Sequence, residues 1–360
     1  MKFSNYICEL IMSQTKKRGI ILMNLGSPDS TSVKDVRRYL NEFLMDERVI
    51  DVPWLQRALL VKGIITPFRA PKSAHAYRTI WTKDGSPLIV LTKQLQEAVQ
   101  RIITDPIEIA MRYGSPSPAT AFDALSARVK NLEEVVLFPL YPHYAMASYE
   151  TAVEYAKEIH SRNKYPFKLT TIQPYFDHPG YISALAESME PYLQNDFDHI
   201  LFSYHGIPAR HLHNKDVQQV QDCITHGGCE AADAGKKKHC YRYEVFHTTK
   251  LVTERLGIPR DKFSLSFQSR LGKGWLEPFT DLRLAEMPAA GIKKLLIISP
   301  AFVSDCLETL EELAIRGKEI FMNAGGESYQ FIPCMNVHPA WVKTVAGMID
   351  QHTRLQVDVI

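Results

Sequence analysis

The sequence predicts an α/β fold with two doubly wound parallel sheets of four strands each. Eight short runs rich in apolar and β-branched residues alternate with longer helical patterns and fall into two sets of four. Strands buried on both faces are continuously apolar, and the intervening helices supply the crossovers that parallel pairing requires. The runs are 19–24, 107–113, 135–141 and 167–173 in the first set, and 199–205, 263–268, 294–302 and 329–334 in the second.

The third run of each set indicates an internal duplication. EEVVLFPLYPHYA (133–145) and KKLLIISPAFVSD (293–305) both have a charged pair, an apolar run and then a proline near the strand end. A length of 360 residues also fits two domains of roughly 100–200 residues each. We expect a disordered extension at 1–17, lobes at 18–175 and 176–335, and a final helix within 336–360 that packs back on the first lobe.

Composition and charge argue against several classes of protein. The 42 Lys and Arg residues balance 40 Asp and Glu residues, which argues against a nucleic-acid partner. The sequence lacks a run of the ~18 apolar residues that a membrane-spanning helix needs. Asn5 and Glu9 interrupt the apolar stretch near the N-terminus, so it does not resemble a signal peptide. We therefore expect a cytoplasmic protein with at most peripheral membrane contact.

Residues that directly follow the strands are the first candidates for a binding site. In doubly wound sheets ligands bind beyond the carboxyl ends of the strands. His205 ends the run HILFSYH, and Gly206 and Pro208 then turn the chain. A lone histidine at a strand end is more often structural, so the pattern alone leaves its role open. The candidates are Asn24, Arg112, Tyr113, Tyr141, His143, His205, Gln268 and Asp305.

A row of carboxylates follows the seventh run. The segment SDCLETLEEL contains Asp305, Glu308 and Glu312, and residues three or four apart share one face of a helix. Such a face could transfer protons or a metal ion. Asp305 and Glu308 also have the spacing of a helix capping box, and acids suit the first turn of a helix. On the pattern alone, capping and chemistry are equally good explanations.

Four motifs in order, ILMNLGSPDS, SYHGIP, FQSRLGKGWLEPFTD and SPAFVSDCLETLEEL, closely resemble ferrochelatases of proteobacterial type. The resemblance runs from about Arg18 to the C-terminus. It implies two similar Rossmann-like lobes of the class II chelatase kind, with a porphyrin cleft between them. It also implies a lyase that inserts ferrous iron into protoporphyrin IX, releases two protons and yields protoheme, the terminal step of heme biosynthesis. Iron is then a substrate, and catalysis requires no cofactor.

The resemblance assigns roles to the histidine and the acids. It makes His205 and Glu308 the catalytic residues and the iron ligands, and it makes Asp305 and Glu312 an acidic relay. An imidazole with an ordinary pKa of ~6.5 can accept a proton or bind ferrous iron near neutral pH. Cys306 stands where some relatives have a histidine, which argues against a second histidine ligand.

The segment from Pro53 to Pro87 resembles the lip over the family's porphyrin pocket. It mixes large apolar residues with cations, so it could face a macrocycle or a membrane surface while the cations bind propionates. The alternative is an amphipathic core helix followed by a basic loop. The resemblance implies porphyrin contacts for Leu25, Arg69, Lys72, Tyr77, Ser86, Arg112, Tyr141 and Trp275.

A cysteine-containing insertion at 214–242 includes CITHGGCEAADAGKKKHC. Some ferrochelatases hold a 2Fe–2S cluster in a similar internal segment, and four thiolates are the usual requirement. Here Cys223, Cys229 and Cys240 are present, and Val245 stands where a fourth cysteine would be expected. Three interpretations stay open: free thiols, a 2Fe–2S cluster with an unusual ligand, and a Cys/His zinc site.

Two other functions compete with iron insertion into protoporphyrin. The same residues would serve a chelatase for coproporphyrin or another tetrapyrrole. A non-catalytic heme or iron carrier could use the same scaffold, although the pair of His205 and Glu308 favours an enzyme. We therefore predict protoporphyrin IX and ferrous iron as binding partners, with a peripheral membrane contact through the lip.

Overall fold

The computed structural model describes residues 17–212, 239–270 and 274–357. It contains two four-stranded parallel sheets with the same strand order, β2-β1-β3-β4 and β6-β5-β7-β8. The fold class and the duplication predicted from the sequence are thereby confirmed. The strands are β1 Arg18–Gly26, β2 Ile107–Tyr113, β3 Glu134–Pro139, β4 Lys168–Thr171, β5 His199–His205, β6 Phe263–Gln268, β7 Lys294–Ile298 and β8 Ser328–Phe331.

Four strands, β3, β4, β7 and β8, end before the apolar runs that predicted them. For β3 and β7, the runs were expected to continue to Tyr141 and Phe302, whereas the strands end at Pro139 and Ile298. Proline has no backbone N–H to donate to a neighbouring strand, and in both runs a proline stands at or just after the observed end. The apolar residues beyond each strand instead turn towards the space between the lobes.

Helices connect the strands within and between the lobes. In the first lobe they are α1 Val33–Leu44, α2 Trp54–Ala58, α3 Thr66–Ile80, α4 Pro87–Gln100, α5 Pro118–Arg128 and α6 Thr151–Arg162. In the second lobe they are α7 Pro179–Leu193, α8 Tyr241–Leu256, α9 Thr280–Glu286, α10 Leu307–Thr309, α11 Lys318–Asn323 and α12 Pro339–Val357. In the described part of the chain, three π-helical stretches adjoin α3, α6 and α11, namely Leu59–Ile65, Met146–Glu150 and Leu310–Gly317.

One apolar core extends across both lobes. It includes Leu22 and Phe138 from the first sheet, Phe202 and Ile298 from the second, and the fully buried Trp341 of α12. The helix α12 packs on α4 of the first lobe and on α7. Because the lobes share buried apolar surface, the fold fixes their relative position and therefore the width of the cleft between them.

Within the lip, residues 54–80 form one continuous helical stretch. It packs on α1 of its own lobe and on the π-helical stretch Leu310–Gly317 of the other lobe. At its base, Asp51 accepts hydrogen bonds from Arg210 and from His211, the latter at 3.0 Å. Phe68 is 75% exposed and Trp54 64% exposed, so this segment is not a core helix. Within the described residues, no helix combines the length and apolar character needed to cross a membrane.

Candidate active site

A cleft lies between the carboxyl ends of the two sheets. Tyr39 and Phe43 of α1, Tyr77 of the lip and Tyr141 after β3 form one wall. The wall from the second lobe consists of His205, Ile207, Tyr241, residues 301–304 and residues 306–308. The lining is mainly aromatic and apolar, as a large flat ligand requires.

The hydrogen bonds of His205 fix which ring nitrogen carries a proton. The residue ends β5, and its Nδ1 lies 2.7 Å from the carbonyl oxygen of Gly206. A carbonyl oxygen only accepts, so Nδ1 holds the proton and the Nε2 lone pair stays available. Burial lowers the pKa of His205, the charge of Glu308 opposes this, and Arg69 lowers it further. The ring is therefore neutral at pH 7 and can accept a proton or bind a metal ion.

Glu308 enters the cleft from the second lobe. It lies in α10, just before the π-helical stretch Leu310–Gly317. Its backbone carbonyl accepts a hydrogen bond of 2.9 Å from Gln268 Nε2. The buried thiol of Cys306 forms a hydrogen bond with the Glu308 side chain. Burial is the main reason why the pKa of this thiol is raised, and the charge of Glu308 raises it further. A protonated thiol donates to the carboxylate and so restricts its orientation.

Glu312 lies beside this pair but does not line the cleft. It accepts a hydrogen bond of 2.5 Å from Ser269 Oγ and lies 3.3 Å from Arg316. Burial, and then the charge of Glu308, raise the pKa of Glu312 to about 7. A carboxyl group with this pKa can both take up and release a proton near neutral pH.

Asp305 has a different environment from the one expected of a relay. Its carboxylate accepts from Thr309 Oγ1 at 2.9 Å, from Asn336 Nδ2 at 2.7 Å and from the Cys334 backbone N–H at 3.3 Å. These bonds join the start of α10 to the loop after β8. Asp305 is buried outside the cleft lining, so its contacts anchor the loop that carries Glu308.

Four of the predicted porphyrin contacts line the cleft, namely Leu25, Tyr77, Ser86 and Tyr141. Arg69 and Lys72 are exposed on the lip, outside the lining. Among the described residues that form the cleft wall, none is a Lys or an Arg. Any carboxylate of the ligand must therefore reach the mouth of the cleft to meet a cation.

Two other predicted contacts lie elsewhere. Arg112 forms a 2.5 Å ion pair with Asp46, donates to Thr151 Oγ1 at 2.7 Å and is only 13% exposed. Trp275 pairs with Pro208 and packs against Gly206. Neither side chain lines the cleft, because Arg112 has protein partners and Trp275 packs on the loop after His205. Their contacts with a porphyrin stay predictions.

Several lining residues were missed from the sequence. Tyr39 and Phe43 stand four apart on α1 and resemble ordinary core positions. Phe302 and Val303 follow β7 in the same way that Tyr141 follows β3, so the internal duplication could have identified them. Tyr241 begins α8, and its hydroxyl donates to the His205 carbonyl at 2.9 Å.

The described residues contain no group of three or more His, Cys, Asp or Glu side chains suited to hold a metal ion. His205 and Glu308 both line the cleft. Cys223 and Cys229 lie outside the described residues. Cys240 is buried at the start of α8.

Comparisons with known proteins agree with this architecture. A family model described as Ferrochelatase matches residues 17–353. A ferrochelatase of Pseudomonas entomophila is 49% identical over 333 residues, which cover 92% of this chain and 98% of that protein. One of Opitutus terrae is 48% identical over 336 residues, covering 92% and 96%.

A solved structure, SirB from Bacillus subtilis with Fe³⁺, has a TM-score of 0.54 at 11% identity and covers 93% of this chain and 95% of that one. This likeness concerns the fold alone and agrees with two lobes that each contain a four-stranded parallel sheet. The sequence relatives and the family model extend over nearly the whole described chain, including both walls of the cleft. The chain therefore belongs to the ferrochelatase family.

Proposed function

We propose that this protein inserts ferrous iron into protoporphyrin IX and releases protoheme and two protons. The observation that carries the proposal is that a neutral imidazole with a free Nε2 lone pair, His205, and a carboxylate, Glu308, line one apolar cleft. A macrocycle between the two walls would have its pyrrole N–H groups within reach of a base. An acid on the same cleft could hold the incoming metal ion.

The chemistry balances with residues of this chain. The porphyrin loses two N–H protons while its four nitrogens replace ligands of the iron. His205 Nε2 can accept a proton, and Glu308 can hold ferrous iron or take the other proton. Glu312, with a pKa of about 7, can pass a proton onward past Ser269 to solvent. We assign these roles to the residues without fixing the order of proton loss and metal entry.

The cleft lining favours protoporphyrin over coproporphyrin. Protoporphyrin has two carboxylates on the same side of the ring, which the exposed cations Arg69 and Lys72 of the lip could bind outside the cleft lining. Coproporphyrin has four, on both sides of the ring, so some would have to enter a described wall that contains no Lys or Arg. Burying a carboxylate without a partner is strongly unfavourable.

Anaerobic metallation with purified protein tests this function. Ferrous iron and protoporphyrin IX should give protoheme, followed by absorbance, faster than coproporphyrin III gives its heme. A faster reaction with coproporphyrin would keep the chemistry and refute the substrate assignment. Tight porphyrin binding without turnover would instead indicate a carrier.

The cysteine-containing insertion is not part of this proposal. Four thiolates are the usual ligands of a 2Fe–2S cluster. Cys223 and Cys229 lie outside the described residues, so the cluster, zinc and free-thiol interpretations all stay untested predictions.

We also propose that the lip binds a membrane surface. Trp54, Leu55, Leu59, Ile64 and Phe68 are each at least 59% exposed along one helical segment. The exposed Lys62, Arg69 and Lys72 stand among them, so the segment combines apolar side chains with cations. Apolar side chains inserted at the interface, together with cations near anionic headgroups, are the usual requirements for peripheral binding.

Replacing Trp54 and Phe68 by serine is expected to reduce binding to vesicles of anionic phospholipid. Each large apolar side chain withdrawn from lipid should weaken binding by roughly 1.5–3 kcal/mol, about tenfold or more. Vesicle sedimentation measures the bound fraction. Ile102→Ser is the matched control, because Ile102 is 53% exposed but lies outside the lip. Equal binding by wild type, lip variant and control would refute the membrane proposal.

A further inference from the structure

Gln268 connects the two walls of the active site. It ends β6 and pairs in register with His205 of the neighbouring strand β5. Its side-chain Nε2 donates to the Glu308 carbonyl at 2.9 Å, and its Oε1 accepts from Ser203 Oγ at 2.8 Å. Its backbone carbonyl accepts from the Gly206 N–H at 2.7 Å. One buried residue therefore contacts the segments that carry both the base and the acid.

The orientation of the Gln268 amide is determined by its partners. The Glu308 carbonyl oxygen can only accept a hydrogen bond, so the NH₂ group must face it. The Oε1 atom then faces Ser203, whose hydroxyl also lies 2.8 Å from Thr280 Oγ1. A rotated amide would place oxygen against oxygen at Glu308. The side chain thus holds one defined position between β5 and α10.

The contact with Gly206 extends the same connection to His205. A Cβ on Gly206 would lie 2.8 Å from the Gln268 carbonyl oxygen, so a larger residue would push the two segments apart. The Gly206 N–H bonds to Gln268, while the Gly206 carbonyl accepts from His205 Nδ1. Gly206 therefore relates the imidazole ring to the position of Gln268 through the two peptide groups that flank its Cα.

We propose that Gln268 is a positioning residue that sets the separation between the His205 imidazole and the Glu308 carboxylate. The inference rests on the proposed roles of these two residues in iron insertion. Gln268 lies outside the cleft lining, so it acts through its neighbours rather than on a substrate. A displacement of a reacting group by ~1 Å can reduce a rate by about a hundredfold.

The test compares wild type with Gln268→Met. This substitution keeps the length of the side chain and removes both of its hydrogen bonds. We expect kcat for iron insertion to fall by about ten- to a hundredfold. The Kd for protoporphyrin, measured by fluorescence quenching, should change by less than about twofold because the lining is intact. Ser264→Ala is the control on the same strand, and it should keep wild-type kcat.

A double-mutant cycle separates positioning from simple support of the fold. Glu308→Asp already withdraws the carboxylate by one methylene, so adding Gln268→Met should reduce kcat by much less than it does in wild type. Equal losses in both backgrounds, or an unchanged kcat in Gln268→Met, would overturn the inference. If Gln268→Met does not fold, Ser203→Ala, which removes the partner of Oε1, takes its place in the cycle. Failure of wild type to insert iron would refute the proposed function instead.

Discussion

His205→Ala is expected to lower the rate of iron insertion by about two to four orders of magnitude, the usual contribution of a positioned base. The imidazole supplies the Nε2 lone pair, and alanine supplies no replacement. Porphyrin binding should persist, because the aromatic and apolar residues that form most of the cleft remain in place. Anaerobic metallation and fluorescence quenching measure the two properties separately.

Two controls sharpen this prediction. His205→Asn can still donate to the Gly206 carbonyl but has no basic nitrogen, so it should be as slow as the alanine variant. Added imidazole should restore part of the rate to His205→Ala by occupying the vacated space. Wild-type turnover in either variant would contradict the assignment of His205 as the base.

The same assignment has a pH signature. Burial lowers the pKa of His205, with an opposing effect of Glu308, so the neutral form persists below the ordinary value of about 6.5. Because the neutral ring is the active base, kcat should fall as the pH drops through that lowered pKa. The acid limb of the pH profile should therefore lie below pH 6.5 in wild type and disappear in His205→Asn.

Asp46→Ala is expected to reduce the free energy of unfolding by about 3–5 kcal/mol, as found when one partner of a buried ion pair is removed. The Asp46 carboxylate accepts from Arg112 at 2.5 Å, from Tyr113 OH at 2.9 Å and from Thr151 Oγ1. Without it, the Arg112 charge stays buried and unpaired. Urea denaturation measures the loss.

The double variant Asp46→Ala with Arg112→Met should lose less stability than the sum of the single variants, because no charge is then left alone. Glu154→Ala, which removes the exposed pair with Lys157, is the control and should change stability by at most about 1 kcal/mol. Additive losses for Asp46 and Arg112 would show that the two residues do not act as a pair.

The contribution of Asp46 also depends on pH. Burial alone would raise its pKa, but hydrogen bonds from Thr151 and the Arg48 backbone N–H and the charge of Arg112 lower it below 3.8. A carboxyl group with a depressed pKa stabilises the fold above its unfolded pKa, and the effect is lost as the pH falls through the folded pKa. The stability difference between wild type and Asp46→Asn should therefore shrink below about pH 3.8.

The candidate site could be predicted in part from local sequence. His205 and Glu308 follow recognisable strands, and both line the cleft. Leu25, Tyr77 and Tyr141 could be placed there by family motifs. The positions of Arg112, Asp305 and Trp275 could not be predicted, because the residues that they contact come from distant segments of the chain. Arg112 and Asp46, for example, are 66 residues apart in the chain.

The sequence by itself determined the fold class, because strands buried on both faces must be continuously apolar and each needs a helical crossover to its parallel neighbour. It also determined which residues follow each strand at the functional edge. Tertiary structure alone decided which polar residues are satisfied inside the protein and which remain available in the cleft. Hydrogen bonds and ion pairs depend on the positions of both partners, and only folding brings partners from the two lobes together.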